Sequence, residues 1–320
     1  MSLQSAALPY FKENELELLI PVTMQDKLVS ILALGKKENL QPYRSKDIEL
    51  LEHVGTQIGI TIDNALHHTD IVEKERLAEE LKLGRQIQIS LLPRTIPLVP
   101  FLSIHGIMQP AKEIGGDYYD FISLPDKKKL GIVIGDVSGK GLAAGLLMAM
   151  AKTAIHIYSS QEDSPRQTLI LLNGIFNKHI GGDKFMTMLY LIWKPERSSL
   201  VYSSAGHEHI LVYRDSEKKV EEIESGGIML GVTTEIEKYI EEKEIRLNPR
   251  DKILLYTDGV TEALNPDKDR YGLEKLKISF QDHSLRPVPD LMQLIQDDLF
   301  RFMGTTPQYD DITLVVIEAG

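Results

Sequence analysis

The stretch LGIVIGDVSGKG, residues 130–141, joins an apolar run to a glycine-rich loop that carries one aspartate. A short apolar run bounded by glycines predicts a buried strand over Leu130 to Ile134. Asp136 follows that strand at once, where a rigid scaffold can hold a functional side chain in position. Taken alone, the loop is equally typical of an ordinary turn, because aspartate and glycine are common turn residues.

Three further motifs place carboxylates beside glycines or at the ends of predicted strands. They are GGDYYD at 115–120, TDGVTE at 257–262 and DDIT at 310–313. Each motif alone is a weak signal, but together they predict that the fold gathers aspartates from distant parts of the chain. Hard divalent cations such as Mg²⁺ and Mn²⁺ prefer oxygen ligands. The four motifs therefore predict a metal centre.

The segment after Phe101 alternates apolar strand patterns with helical patterns. Two strand-rich blocks with paired helices favour an α+β sandwich over a doubly wound parallel sheet. The predicted strands are Leu130 to Ile134, Thr187 to Trp193, Leu200 to Ser203, Ile210 to Arg214, Lys252 to Tyr256 and Thr313 to Ile317. The predicted helices are Gly141 to Ser160, Pro165 to His179, Gly272 to Phe280 and Pro287 to Met303.

The N-terminal segment predicts a hairpin over residues 15–34, with a turn at Met24 to Lys27, and then a helix capped by Ser45. Helical character continues without proline to Leu92. Apolar spacing of +4 and +3 runs through part of this helix, at Ile58, Ile62, Ala65, Thr69 and Val72. The pattern is typical of a coiled-coil dimer seam, and also of a long surface helix packed on its own domain.

Composition excludes several classes of function. The 320 residues allow two domains, or one large domain with a regulatory attachment. The absence of cysteine excludes disulfides, thiolate zinc sites and cysteine nucleophiles. The net charge of −11 argues against nonspecific nucleic-acid binding. With no secretory signal and no apolar stretch of roughly 20 residues, we expect a soluble, cytoplasmic protein without a membrane span.

Five motifs in this order resemble the SpoIIE-type branch of the protein phosphatase 2C-like (PPM) serine phosphatases, which includes RsbU-like regulators. The resemblance extends from Glu75 to Ala319. Residues 88–97, with Leu-Leu-Pro at 91–93, resemble the lead-in helix of that branch. The motifs are GGDYYDF at 115–121, GDVSGKG at 135–141, SAGH at 204–207, YTDGVTE at 256–262 and DDIT at 310–313.

The resemblance implies two Mn²⁺ or Mg²⁺ ions held by oxygen ligands. It implies that Asp136 bridges both ions and that the Val137 carbonyl completes the second. Asp258 and Asp310 would bind the first ion, and Asp117 would hold metal-bound waters. Asp117, Asp136 and Asp258 are thus the candidate catalytic residues.

The choice of Asp310 over its neighbour Asp311 is less direct. It depends on which of the two adjacent side chains faces inward, since side chains alternate along a strand. We expect Asp310 to be the ligand.

The resemblance also implies a fold and a domain order. The fold would be an antiparallel β-sandwich flanked by helix pairs, α/β/β/α, over residues 98–320. A linker helix at 58–97 would precede it. Residues 1–57 resemble the closing part of a GAF domain, with too few strands for a complete one, so we expect a truncated chain whose Met-Ser-Leu start is a cloning leader.

The implied reaction is hydrolysis of phosphoserine or phosphothreonine by a hydroxide held between two metal ions. The implied substrate is a bacterial signalling phosphoprotein of the anti-sigma-factor-antagonist type, and the linker helix would form a homodimer. The alternative from another class is a non-catalytic sensor or scaffold that uses the fold for partner binding. Such a protein would usually have lost an aspartate, and all are present here.

Overall fold

The computed structural model describes residues 13–24, 27–179 and 184–320. The chain divides into two compact units, one ending at Glu80 and one over Leu81–Gly320. Gln25 and Asp26 of the predicted hairpin turn lie outside the described residues, as does the side chain of Thr69.

The first unit contains the predicted hairpin and most of the predicted helix. Strands β1 (Leu18–Met24) and β2 (Lys27–Leu34) pair antiparallel, and helix α1 (Ser45–Leu91) is continuous. A methyl group at Gly59 of α1 would lie 3.1 Å from the Thr23 carbonyl oxygen, so this glycine lets the helix approach the hairpin closely. Other apolar side chains of α1 remain about half exposed, namely Val54, Ile60, Ile71, Val72 and Leu77. Both interpretations of the helix therefore stay open.

The second unit contains two five-stranded sheets in which all paired strands are antiparallel. The first sheet has the order β10-β7-β6-β5-β4, with β4 Tyr118–Ser123, β5 Leu130–Val137, β6 Met186–Lys194, β7 Ser199–Ala205 and β10 Lys243–Arg246. The second sheet has the order β3-β12-β11-β8-β9, with β3 Leu102–Gln109, β8 Ile210–Arg214, β9 Lys219–Ile223, β11 Lys252–Tyr256 and β12 Ile312–Ala319.

Apolar residues on both faces of the central strands explain why those strands appear in the sequence as unbroken apolar runs. In β5, Ile132 and Ile134 enter the core between the two sheets. Val133 and Val137 of the same strand enter a second core, under the helices. Successive side chains point to opposite faces of a strand, so one run supplies both cores.

Two pairs of helices cover the outer faces of the sheets. Helices α2 (Leu142–Ser159) and α3 (Pro165–His179) pack on the first sheet. Helices α5 (Gly272–His283) and α6 (Val288–Met303) pack on the second sheet, and the single turn α4 (Asp258–Thr261) follows β11. The mixed α+β architecture with antiparallel sheets is confirmed. Within the described residues, α2 has the length and apolarity of a membrane span, but it buries Ala144, Met148 and Ile155 as a core helix does.

The sequence prediction missed β3, β4, β9 and β10. The pattern of β4 is disguised by Asp120, a buried carboxylate in an otherwise apolar and aromatic strand. Strands β9 and β10 are mostly exposed and carry charged side chains, so they show little apolar signal.

Asp120 joins β4 to α2 through a polar cluster around its buried carboxylate. Its carboxylate accepts hydrogen bonds from the Tyr118 hydroxyl at 2.9 Å, from Lys152 and from the Phe121 amide at 2.9 Å, and it lies 2.7 Å from His156 Nε2. Burial raises the pKa of Asp120, but the His156 and Lys152 contacts outweigh it and hold that pKa below its ordinary value. The ionised carboxylate therefore stabilises the fold.

Replacing Asp120 with Asn should lower the free energy of unfolding of the second unit by about 1–3 kcal/mol near neutral pH. A folded-state pKa below the unfolded value gives stability above the ordinary carboxyl pKa that is lost as pH falls through the folded pKa. The deficit should therefore shrink in acid. The fluorescence of Trp193, the only tryptophan, reports unfolding. The exposed Asp126→Asn is the control, and equal stability of the two variants would contradict the assignment.

Candidate metal centre

The four predicted aspartate motifs meet at one end of the β-sandwich. Asp117 immediately precedes β4, and Asp136 is the next-to-last residue of β5. Asp258 opens α4 directly after β11, and Asp310 lies two residues before β12. Antiparallel pairing of β4 with β5, and of β11 with β12, brings these strand ends side by side. The fold thus gathers side chains that lie up to 193 positions apart, from 117 to 310.

Asp117 connects the two sheets at this end. Its side chain is 1% exposed, and Oδ2 accepts a 2.8 Å hydrogen bond from the Thr257 hydroxyl and another from the Thr313 hydroxyl. Burial, followed by the charges of Asp136 and Asp311, raises the pKa of Asp117 well above its ordinary value. The two threonines fix the carboxylate in place and leave its orientation little freedom.

Asp136 and Asp258 are held in an environment that disfavours their charged forms. Burial first, then the charges of Asp258 and Asp310, raises the pKa of Asp136 to about 7. Burial first, then the charge of Asp310, raises the pKa of Asp258 to about 6. These carboxylates lie close enough to repel one another, and a bound cation would relieve that repulsion.

The neighbours Asp310 and Asp311 have different surroundings. Asp311 is 3% exposed, and its carboxylate accepts the Ala111 amide at 2.8 Å and the Gly116 amide at 2.7 Å. Asp310 instead forms an ion pair with Lys140, at 2.9 Å, beside the carboxylate cluster. Asp310 also accepts the Asp311 amide, at 2.9 Å on Oδ1. Two distant segments thus hold Asp311 through their amides, whereas Asp310 is paired with its sequence neighbour and with a cation.

Two glycines are required for the close approach of these loops. A methyl group at Gly116 would lie 2.6 Å from the Val137 carbonyl oxygen and 3.0 Å from Asp136 Oδ1. At Gly259 it would lie 1.9 Å from the Asp311 carbonyl oxygen. The Val137 carbonyl and the Asp136 carboxylate therefore lie beside the same glycine, and any larger residue there would push the loops apart.

The donor set fits a hard divalent cation. The available groups are carboxylates and a backbone carbonyl, which are the ligands that Mg²⁺ and Mn²⁺ prefer. Within the described residues, no three carboxylate or histidine side chains already stand close enough to surround one ion. Such sites commonly include water ligands, because Mg²⁺ dehydrates reluctantly.

Sequence reasoning missed several residues of this site. Burial raises the pKa of Glu208, and Glu208 and Glu262 both add to the negative charge around Asp258. Thr257 and Thr313 lie in the quoted motifs, but nothing in their pattern distinguished them from strand residues. Their hydroxyls become informative only once Asp117 is placed between them.

Gln88 of α1 holds the first aspartate loop. Its side-chain amide donates to the Gly115 carbonyl at 2.8 Å and its oxygen accepts the Gly115 amide at 3.0 Å. Gln88 is 3% exposed, unlike Gln86 two positions earlier, which is exposed. The end of α1 is therefore attached to the loop that leads into Asp117.

A family model described as "Stage II sporulation protein E (SpoIIE)" matches residues 126–320. A curated relative, "Phosphoserine phosphatase RsbU" of Bacillus subtilis, is 29% identical over 311 residues, covering 96% of this chain and 89% of RsbU.

Two solved structures are similar in fold. The SiaA-PP2C domain of Pseudomonas aeruginosa superposes with a TM-score of 0.67 at 20% identity, over 78% of this chain and 98% of that domain. The RsbU and RsbW domains of Rv1364c from Mycobacterium tuberculosis give a TM-score of 0.61 at 27% identity, over 70% of this chain and 61% of that one.

Removing the charge of Asp136 should stabilise the metal-free protein. A folded-state pKa of about 7, above the ordinary 3.8, means that the folded state binds the proton more tightly. Stability is therefore lost as pH rises from about 4 to 7. In a chelator at pH 8, Asp136→Asn should gain on the order of 1–3 kcal/mol of unfolding free energy.

The difference in unfolding free energy between wild type and Asp136→Asn should become smaller at pH 5, because the Asp136 carboxyl of the folded wild type is then protonated. Added Mn²⁺ should stabilise wild type more than the variant. The exposed Asp126→Asn, measured in parallel by Trp193 fluorescence, should show neither effect. If Asp136→Asn is less stable than wild type at pH 8 in chelator, neighbouring carboxylates do not destabilise the ionised Asp136 side chain.

Proposed function

This chain belongs to the SpoIIE family and is a serine/threonine phosphatase of the PP2C type, and we propose that it hydrolyses phosphoserine or phosphothreonine on a protein. The observation that carries the proposal is the set of mutually repelling, largely buried carboxylates at one end of the sandwich. Members of this family depend on metal, and we propose two Mn²⁺ or Mg²⁺ ions here.

The proposed ligands are the oxygens that the fold gathers at this end of the sandwich, namely Asp117, Asp136, Asp258, Asp310 and the Val137 carbonyl. When bound, the ions would supply an acidified water as nucleophile and would neutralise charge on the phosphoryl oxygens. The chain itself positions the ligands. Thr257 and Thr313 orient Asp117, and Asp311 fixes the Gly116 loop through its backbone amides.

The proposed substrate is a phosphorylated bacterial signalling protein of the anti-sigma-factor-antagonist type, and the proposed compartment is the cytoplasm. Support comes from the likeness to RsbU, whose name is that of a phosphoserine phosphatase, and to the RsbU and RsbW domains of Rv1364c. The runner-up is a non-catalytic scaffold. The complete carboxylate set favours the enzyme, because a scaffold has no use for charges that destabilise its own fold.

Wild type should release phosphate from a phosphoserine peptide only when Mn²⁺ or Mg²⁺ is present. Asp136→Asn should lower kcat by at least about 100-fold, because it removes a carboxylate that is proposed to bind the catalytic metal ions. Phosphate release by wild type and variant at increasing Mn²⁺ measures this. Equal turnover by both proteins would defeat the proposed role of Asp136.

Asp310→Asn and Asp311→Asn form a matched pair of variants, compared by Mn²⁺ titration and by unfolding followed with Trp193 fluorescence. Asp310→Asn should weaken Mn²⁺ binding while the metal-free protein stays at least as stable as wild type, because the variant also relieves repulsion on Asp136 and Asp258. Asp311→Asn should instead lower the unfolding free energy, because it weakens the hydrogen bonds from Ala111 and Gly116. The reverse pattern would make Asp311 the ligand.

We also propose that upstream segments control this site through α1. The proposed segments are a partial GAF-like piece at 1–57 and a linker helix at 58–97 that forms a homodimer. The hydrogen bonds between Gln88 and Gly115 support transmission from α1 to the site, because they attach the end of α1 to the loop before Asp117.

Gln88→Ala in the full chain should reduce kcat and Mn²⁺ affinity by about 10-fold, because the buried Gly115 amide and carbonyl lose their partners. Gln86→Ala removes an exposed amide from the same helix and should change neither quantity. If Gln88→Ala has the same kcat and Mn²⁺ affinity as wild type, α1 does not act on the site through the contact between Gln88 and Gly115. If deletion of residues 1–75 leaves activity and oligomeric state unchanged, the upstream control is excluded.

A further inference from the structure

Lys140 joins two loops beside the carboxylate cluster. It lies in the loop after β5, and its Nζ forms the 2.9 Å ion pair with Asp310 Oδ2 and donates a hydrogen bond to the Tyr309 carbonyl. Among the ion pairs of residues 13–24, 27–179 and 184–320, this is the one that involves a proposed ligand carboxylate. Lys140 thus has two partners within the protein.

The charge balance makes this contact unusual. The charge of Asp310 disfavours the ionised forms of Asp136 and Asp258, and Glu208 and Glu262 add negative charge around Asp258. Lys140 is the cation that compensates Asp310. An ammonium group carries three donors, and two are used, so one remains for a further acceptor.

A divalent cation bound by Asp310 would compete directly with Lys140. It carries twice the charge of the ammonium group, so it would take over the neutralisation of that carboxylate. Lys140 would then keep its Tyr309 contact and lose its anionic partner. A phosphate monoester dianion bound beside the same loops would supply the missing negative charge.

We propose that Lys140 is a phosphoryl-binding residue that Asp310 holds in the metal-free protein and releases when metal binds. The proposal rests on the proposed function and names the group that receives the substrate phosphate. The ligand class is a phosphate monoester dianion, or orthophosphate as product. Metal binding thereby frees Lys140 to bind the substrate phosphate. Without metal, Lys140 stays paired with Asp310.

Lys184 provides a matched control. Its Nζ donates to the Ser138 carbonyl at 3.0 Å, so it lies against the same loop. No ion pair joins it to a carboxylate among the described residues. Lys184→Gln therefore removes the same charge from beside this loop without touching Asp310.

The first measurement is Mn²⁺ binding without substrate, followed by paramagnetic resonance of free Mn²⁺ in the full chain. Lys140→Gln should bind Mn²⁺ about 2- to 5-fold more tightly than wild type, the factor expected for removing a partly exposed ion pair that competes. Lys184→Gln should bind as wild type does. Unchanged or weaker Mn²⁺ binding by Lys140→Gln would show that Lys140 and the metal do not compete for Asp310.

The second measurement is orthophosphate binding by calorimetry at saturating Mg²⁺. Lys140→Gln should bind orthophosphate about 10-fold more weakly, as expected for losing a charge-assisted hydrogen bond, and Lys184→Gln should not. An equal loss in both variants, or no loss in Lys140→Gln, would overturn the phosphoryl role.

The two proposals fail separately. If wild type does not hydrolyse a phosphoserine peptide with either metal, the proposed reaction is wrong, but both binding measurements still decide the role of Lys140. If wild type hydrolyses the peptide and Lys140→Gln binds metal and orthophosphate normally, only the role of Lys140 is wrong.

Discussion

Electrostatic repulsion among carboxylates is the constraint on which this site depends. Asp136 and Asp258 are largely buried next to Asp310, and the charge of Asp310 adds to burial in raising the pKa of both. A fold keeps such an arrangement only if the rest of the structure holds it together. Here the two sheets hold it, because their paired strands fix where each aspartate loop begins and ends.

The polar contacts around the cluster separate the residues that hold the site from those that remain available. Asp311 accepts backbone amides and fixes the Gly116 loop. Asp117 is fixed by hydroxyls from the second sheet. Asp310 accepts the amide of its neighbour Asp311, and its charge is balanced by Lys140. Asp136 and Asp258 are dominated instead by burial and by the charges of nearby carboxylates. A single acidic region thus contains both structural and available carboxylates.

Gln88, Lys140 and the glycines connect this region to its surroundings. Gln88 attaches the end of α1 to the loop before Asp117, and Lys140 joins the loop after β5 to the loop before β12. Gly116 and Gly259 bring these loops within contact distance, where a single methyl group would clash. A small set of contacts between loops therefore links the end of α1, the carboxylates and Lys140.

The sequence by itself determined the α+β class, most of the long buried strands and helices, and the four aspartate motifs. Apolar periodicity identifies such elements because burial on one or both faces selects apolar side chains. It could not find β4, where Asp120 interrupts the apolar pattern, or the exposed strands β9 and β10. Only the tertiary structure showed that Asp310 and Asp311 have different partners, and it alone gave Lys140, Thr257 and Gln88 theirs. Those distinctions depend on contacts between residues distant in sequence, and neither residue type nor spacing records which neighbour a side chain meets.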